Sequence, residues 1–193
     1  MWKIVRNINP IWFFDATGNV HRDINRQKKP FFYSLVCHDT NVKSIIPVAE
    51  FLTTANDQNT ISKYLSDILT LFQKSTTRDL LPNIIVTDHS WALINSVLKC
   101  YNNCDINLYI NWCYELKVRK NTESYSPKVI LYLCSTHFLK TMIKKSKQAV
   151  GKKYSKAFIF MFALIQNSIK IEQIDIYLKH IHTILNHERI NCK

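Results

Sequence analysis

Glycine is nearly missing from this chain. Two glycines in 193 residues exclude the glycine-rich turns that cradle phosphates in P-loop and dinucleotide-binding proteins. Five prolines and no low-complexity segment or internal repeat argue against a linker-rich or disordered chain. Long apolar runs are missing too. The longest, 157–165, falls well short of the roughly 20 residues that a membrane-spanning helix needs. The start, Met-Trp-Lys-Ile-Val-Arg, has no apolar signal region, and the six cysteines (Cys37, Cys100, Cys104, Cys113, Cys134, Cys192) are scattered through apolar sequence rather than set in a disulfide frame. Both features point to a soluble protein of a reducing interior. Acidic residues are the last scarcity. None occurs between Glu123 and Glu172, a stretch that holds nine lysines.

What is present is apolar and basic. Hydrophobic residues make up 47%, enough to bury a sizeable core without disulfides or structural metal. The formal charge is +12, which favours an anionic partner, and nucleic acid is the commonest for a basic domain. Lys140, Lys144, Lys145, Lys147, Lys152 and Lys153 would lie on the solvent side of two helices, with Phe138, Leu139, Met142 and Ile143 turned inward. Phosphate contacts of that kind give affinity without sequence specificity. The alternative is a solvated lysine-rich face with no ligand.

Periodicity predicts strands at 10–17, 31–37, 44–49, 83–87 and 129–133, the third at a sheet edge because of Pro47. The fifth is continuously apolar and reads as central. Helical spacing after Asp57 or Asn59 runs through Ile61, Tyr64, Leu65, Ile68, Leu71 and Phe72. Two more helices follow the fourth strand, one bearing Trp91, Ile94, Val97 and Leu98 on one face, the other Ile106, Tyr109, Ile110, Cys113 and Leu116. The chain then finishes with helices near 136–147, 152–168 and 172–187. The aromatics Trp91, Phe158, Phe160 and Phe162 are expected in the core, and His180 and His182 on the surface of the last helix. Fold class is therefore α/β: a mixed five-stranded sheet flanked by helices, with strands one and four as parallel neighbours. The expected division is a core at 1–147 and a helical extension at 148–193.

The chemistry sits where strands one and four end. Trp12-Phe13-Phe14-Asp15-Ala16-Thr17-Gly18 and Ile84-Ile85-Val86-Thr87-Asp88-His89-Ser90 are apolar runs that each stop at an aspartate. A carboxylate at the end of a buried strand is costly unless its charge is compensated. Two of them at neighbouring strand ends would hold divalent metal, which accepts hard oxygen ligands and polarises a phosphate. The plainer alternative makes Asp15 a turn residue and Asp88 a helix cap. Cys134 and His137, spaced Cys-x-x-His, form half a zinc site or a polar group at the catalytic centre, although no matching second ligand pair lies at suitable spacing.

Taken together, Phe14-Asp15-Ala16-Thr17-Gly18, Phe32-Tyr33-Ser34-Leu35-Val36, Ile46-Pro47-Val48-Ala49-Glu50, the run from Pro82 to Ile94 and the run from Leu133 to Lys140 resemble the core of Mutator-like element transposases, cut-and-paste enzymes of the DDE type with a ribonuclease-H-like fold. The resemblance spans about residues 10–145. It implies DNA cleavage by metal-activated water followed by strand transfer, in the nucleus, with Mg²⁺ or Mn²⁺ held by Asp15 and Asp88, and with DNA as partner. It further implies that Cys134 and His137 shape the active site. Homo-oligomerisation is compatible with it and unspecified by the sequence. The family's third acid, a glutamate on a helix, has no motif match here; Glu172, at a helix start, is the nearest equivalent. The tail would then be the start of a truncated helical insertion, and the chain a fragment or degenerate copy of a longer element protein without its amino-terminal DNA-binding module. Two rival functions stand beside this one: a non-catalytic nucleic-acid-binding protein derived from a transposon, and a zinc-dependent interaction module built on Cys134 and His137.

Overall fold

A computed structural model of the chain describes residues 11–18, 29–39, 43–75, 81–119 and 127–191. The segment that carries His21, Arg22, Arg26 and Lys28 lies outside these, as does Cys192. The chain divides between Leu133 and Cys134 into two compact units.

The first unit is built on one mixed sheet. Its strands are β1 (Ile11–Gly18), β2 (Phe31–Asp39), β3 (Ser44–Thr53), β4 (Ile84–Thr87) and β5 (Ile130–Leu133), in spatial order β3-β2-β1-β4-β5. The first three form an antiparallel meander, and β4 and β5 join in parallel to β1. Period-two alternation decides which face is buried. Trp12, Phe14, Tyr33, Leu35 and Cys37 point to one side and are nearly solvent-free, whereas Phe13 and Asp15, on the opposite side, are exposed. Pro47 is tolerated because β3 is an outer strand, and the bulge opposite Leu35 and Val36 leaves Val48 unpaired between Pro47 and Ala49.

Helix α1 (Gln58–Ser75) covers that buried face with Ile61, Leu65 and Phe72. Full burial of each such side chain is worth roughly 1.5–3 kcal/mol. The helix starts where the Asp57 carboxylate accepts from the Thr60 N–H and hydroxyl, both at 2.9 Å, the N-cap that the sequence indicated. Helix α2 (Trp91–Val97) adds Leu93 and Val97 to the same core and runs into a π-helical turn, Leu98–Asn102, closed by Asn103 in the left-handed conformation. Helix α3 (Ile106–Tyr114) is capped by Asp105, whose carboxylate accepts from the Leu108 N–H at 2.9 Å.

Two expectations are corrected. Strand β5 is an edge strand, not a central one. Val129, just before it, is buried and Leu131 half-buried, but Ile130, Tyr132 and Leu133 are exposed, and polar side chains cap part of its outer edge. The Asn102 amide donates to the Val129 carbonyl (2.8 Å) and accepts from the Val129 N–H (2.9 Å). The Tyr109 hydroxyl likewise accepts from the Leu131 N–H (2.8 Å) and donates to its carbonyl (3.3 Å). Trp91 and Phe160 are not core residues; they are 67% and 62% exposed. Helical spacing placed Trp91 on an apolar stripe, but it opens its helix before the packed turns begin; Phe160, within a continuous apolar run, lies on the opposite side of its helix from the buried Phe158.

The second unit holds α4 (Ser135–Ala149), α5 (Gly151–Gln166) and α6 (Ile171–Asn191). Its small core centres on Val150, Phe158 and Ile181, with Tyr154, Met161 and Phe162 packed against them. Phe138 of α4 meets Phe162 of α5 edge-on at 6.1 Å, the geometry aromatic pairs prefer. Gly151, at φ 68°, makes the break between α4 and α5 that a residue with a Cβ would resist.

Candidate metal and nucleic-acid site

Strand pairing brings the two aspartate positions together. Phe14 of β1 is in register with Thr87 of β4, and each is followed directly by its aspartate. Parallel neighbours lie about 4.8 Å apart, so the backbones of Asp15, inside β1, and of Asp88, just past the end of β4, lie side by side. Each carboxylate is tied by one oxygen to a nearby backbone N–H, Asp15 within its strand and not in a turn, Asp88 in the turn that follows β4. Asp15 Oδ1 accepts from the Ala16 N–H at 2.8 Å, and Asp88 Oδ1 accepts from the Ser90 N–H at 2.8 Å. Asp88 therefore shapes the turn into α2, while Ser90 occupies the cap position itself.

The surroundings of the two differ. Asp15 is exposed and belongs to a cross-strand row, Asp15–Ser34–Glu50, in which the Ser34 hydroxyl donates to Glu50 Oε1 at 3.3 Å. Asp88 is half-buried, and its charge reaches Tyr33 on the covered face of the sheet. Burial first, then the charges of Asp57 and Asp88, push the Tyr33 phenol up to about 12; its hydroxyl donates to Asn56 Oδ1 at 2.8 Å. Sequence reasoning singled out neither Glu50 nor Tyr33 as a neighbour of the site. The signal that finds them is strand register, counted outward from Asp15 across two hairpins.

Asp15 and Asp88 suit a divalent ion in part. They are hard oxygen donors at adjacent positions, and Mg²⁺ is commonly held by one or two carboxylates, with waters and substrate phosphate completing its shell. Among the described residues no group of three His, Cys, Asp or Glu side chains is arranged to hold a metal. Glu172 is exposed in the first turn of α6, in the second unit.

Cys134 precedes α4, with His137 in its first turn. Burial raises the Cys134 thiol, but the backbone N–H of His137, the His137 ring and the Thr136 N–H outweigh it and hold the thiol below its usual value. These groups approach the sulfur without completing a capping hydrogen bond. His137 Nδ1 is buried and has no hydrogen-bond partner among the described residues. Cys37, Cys100, Cys104, Cys113 and Cys134 are all free thiols.

Along α4, Lys140, Lys144, Lys145 and Lys147 are exposed, whereas Met142 is half-buried and Ser146 buried. No acidic side chain lies on this helix. Lys152 and Lys153 belong to α5, and their side chains lie outside the described residues. No helix among the described residues is long and apolar enough to cross a membrane.

No protein-family model matches the chain. It is similar to a Drosophila melanogaster protein, the 120.7 kDa protein in NOF-FB transposable element, at 29% identity over 149 residues. The match covers 75% of this chain and 13% of that protein, so the chain spans a small part of its relative. With a mixed five-stranded α/β sheet in place, the chain is thereby tied by similarity to the proteins of a transposable element.

Proposed function

We propose that this is a transposon-derived nucleic-acid-handling domain, and that Asp15 and Asp88 hold the divalent ion of a DDE-type centre for phosphodiester chemistry. The observation that carries this reading is the β1–β4 register, which sets Asp15 of β1 beside Asp88, the residue that follows β4. Similarity to a transposable-element protein supports it. When bound, Mg²⁺ or Mn²⁺ supplies a Lewis acid for the phosphate and lowers the pKa of its water. The chain's own residues do the rest. Asp15 and Asp88 fix the ion at the sheet's end, with the backbone N–H groups of Ala16 and Ser90 orienting their carboxylates. The exposed lysines of α4 would hold DNA through its phosphates.

A second reading is favoured by one specific observation: the absence, among the described residues, of a three-ligand cluster. A protein that keeps the sheet and the basic helix but has lost the chemistry would bind nucleic acid without cutting it.

Calorimetric titration of Mn²⁺ into the chain and into Asp15→Asn and Asp88→Asn separates the two. Binding to the parent that is lost in both variants supports the metal reading. Absence of binding to the parent sinks it and leaves the DNA-binding reading. Asp15 is exposed and accepts one local hydrogen bond, so Asp15→Asn should leave the melting temperature in chelator unchanged or slightly higher, because a repulsive charge is removed. A marked drop in chelator would assign Asp15 a structural part in β1 alone.

A further inference from the structure

A cavity of about 570 Å³ lies on the helical side of the first unit, between the start of α1, α2, the π-helical turn and the start of α3. Gln58, Asn95, Asn103, Lys99, Asp105 and Leu108 are among the residues that line it. Among the described residues, none of the three carboxamides is engaged in a side-chain hydrogen bond, and Lys99 makes no ion pair. Gln58 and Asn95 are half-buried and Asn103 is exposed, so their amide donors and acceptors are open to water or to a ligand in the hollow.

The walls are rigidly made. The buried Ser96 hydroxyl faces the carbonyls of Ala92 (2.6 Å) and Gln58 (3.0 Å), pinning α2 to the start of α1. Asp105 caps α3 with one oxygen. Asn103 turns the chain at φ 52°, ψ 42°, and the widened π-helical turn before it is a backbone irregularity of a kind frequent at functional sites.

We propose that this cavity binds a single nucleotide, an assignment that rests on the nucleic-acid-handling reading above. Size and chemistry agree. Small-molecule sites enclose roughly 300–1,000 Å³, and the residues divide into the three groups a nucleotide requires. Carboxamides offer the paired donor and acceptor that match a base edge, adenine best of all. Asp105 keeps an oxygen for a sugar hydroxyl or exocyclic amine, and Lys99 supplies the cation for a phosphate. No aromatic side chain lines the hollow, so recognition works by hydrogen bonding and not by stacking.

The test is titration of AMP into the full chain at low salt, with adenosine and inorganic phosphate as controls and duplex DNA binding measured in parallel. Saturable one-to-one binding of AMP is expected. Lys99→Ala, at an exposed position that leaves the fold intact, should weaken AMP by about tenfold while leaving adenosine unchanged. Asn95→Leu should weaken both. Duplex binding unchanged on neutralising the α4 lysines, with AMP binding retained, would fail the basic-face reading and still support the cavity. No AMP binding while duplex DNA still binds would overturn the cavity and leave the proposed function standing. Equal AMP binding by the parent and both variants would overturn it as well.

Discussion

Asn102 is a side chain doing the work of a strand. Its amide makes with Val129 the same donor–acceptor pair that a neighbouring backbone would make, and it is buried. Replacing it by Ala leaves both Val129 groups unpaired and out of water, which should cost about 2–4 kcal/mol. Denaturant unfolding should show this as a lower midpoint with an unchanged slope. Cys134 gives a residue-level prediction in pH. Its folded thiol titrates below the usual value of 9.0, so the thiolate contributes stability that is present above that value and lost as pH falls through the lower folded one. Relative to Cys134→Ser, stability should therefore rise with pH in that window. His137→Ala should move the midpoint of Cys134 alkylation upward. An unchanged midpoint would deny His137 its part in holding the thiolate. In the sequence Cys134 and His137 were visible as a spaced pair. The orphaned Nδ1 was not, because it depends on what packs over the ring.

Elements were legible where one periodicity dominated. The alternation Tyr33, Leu35, Cys37 against Ser34 and Val36 fixes the buried face of β2, and Ile61, Leu65 and Phe72 mark the inward stripe of α1. Pro47 announced the outer position of β3. The place of β5 was illegible, because a continuous apolar run reads as buried on both faces, yet Ile130, Tyr132 and Leu133 are exposed and a side chain, not a strand, meets the outer backbone of Leu131. That side chain is Tyr109, and Tyr109→Phe should cost about 1–2 kcal/mol through the two unpaired backbone groups of Leu131. An amide-exchange experiment should find Leu131 deprotected in that variant and the β1–β2 ladder unaffected. Trp91 and Phe160 were misjudged for a related reason. A large apolar residue in a helical stretch has a favoured side only when its helix is packed along that whole turn.

At the scale of the molecule, charge was the most readable property and its use the least. The lysines of α4 stand exposed with no acid on the helix to pair with. If they contact phosphates, duplex affinity should fall steeply with salt, and neutralising Lys144, Lys145 and Lys147 together should reduce the slope of log K against log salt by about 2–3. An unchanged slope would make this face merely solvated. The aspartate site was legible in half. Two carboxylates closing apolar runs and a crossover connection predict adjacency, and the register supplies it, although β1 runs on to Gly18 beyond Asp15. A third ligand could not be read because the acids downstream carry no local signal of which surface they meet. The sealed edge of β5 has one more consequence. Fibrils need a unit that can be extended at both ends of its sheet. With the outward groups of Val129 and Leu131 already taken, β3 is the remaining edge of the described sheet, and any edge-to-edge growth through it stops at a pair.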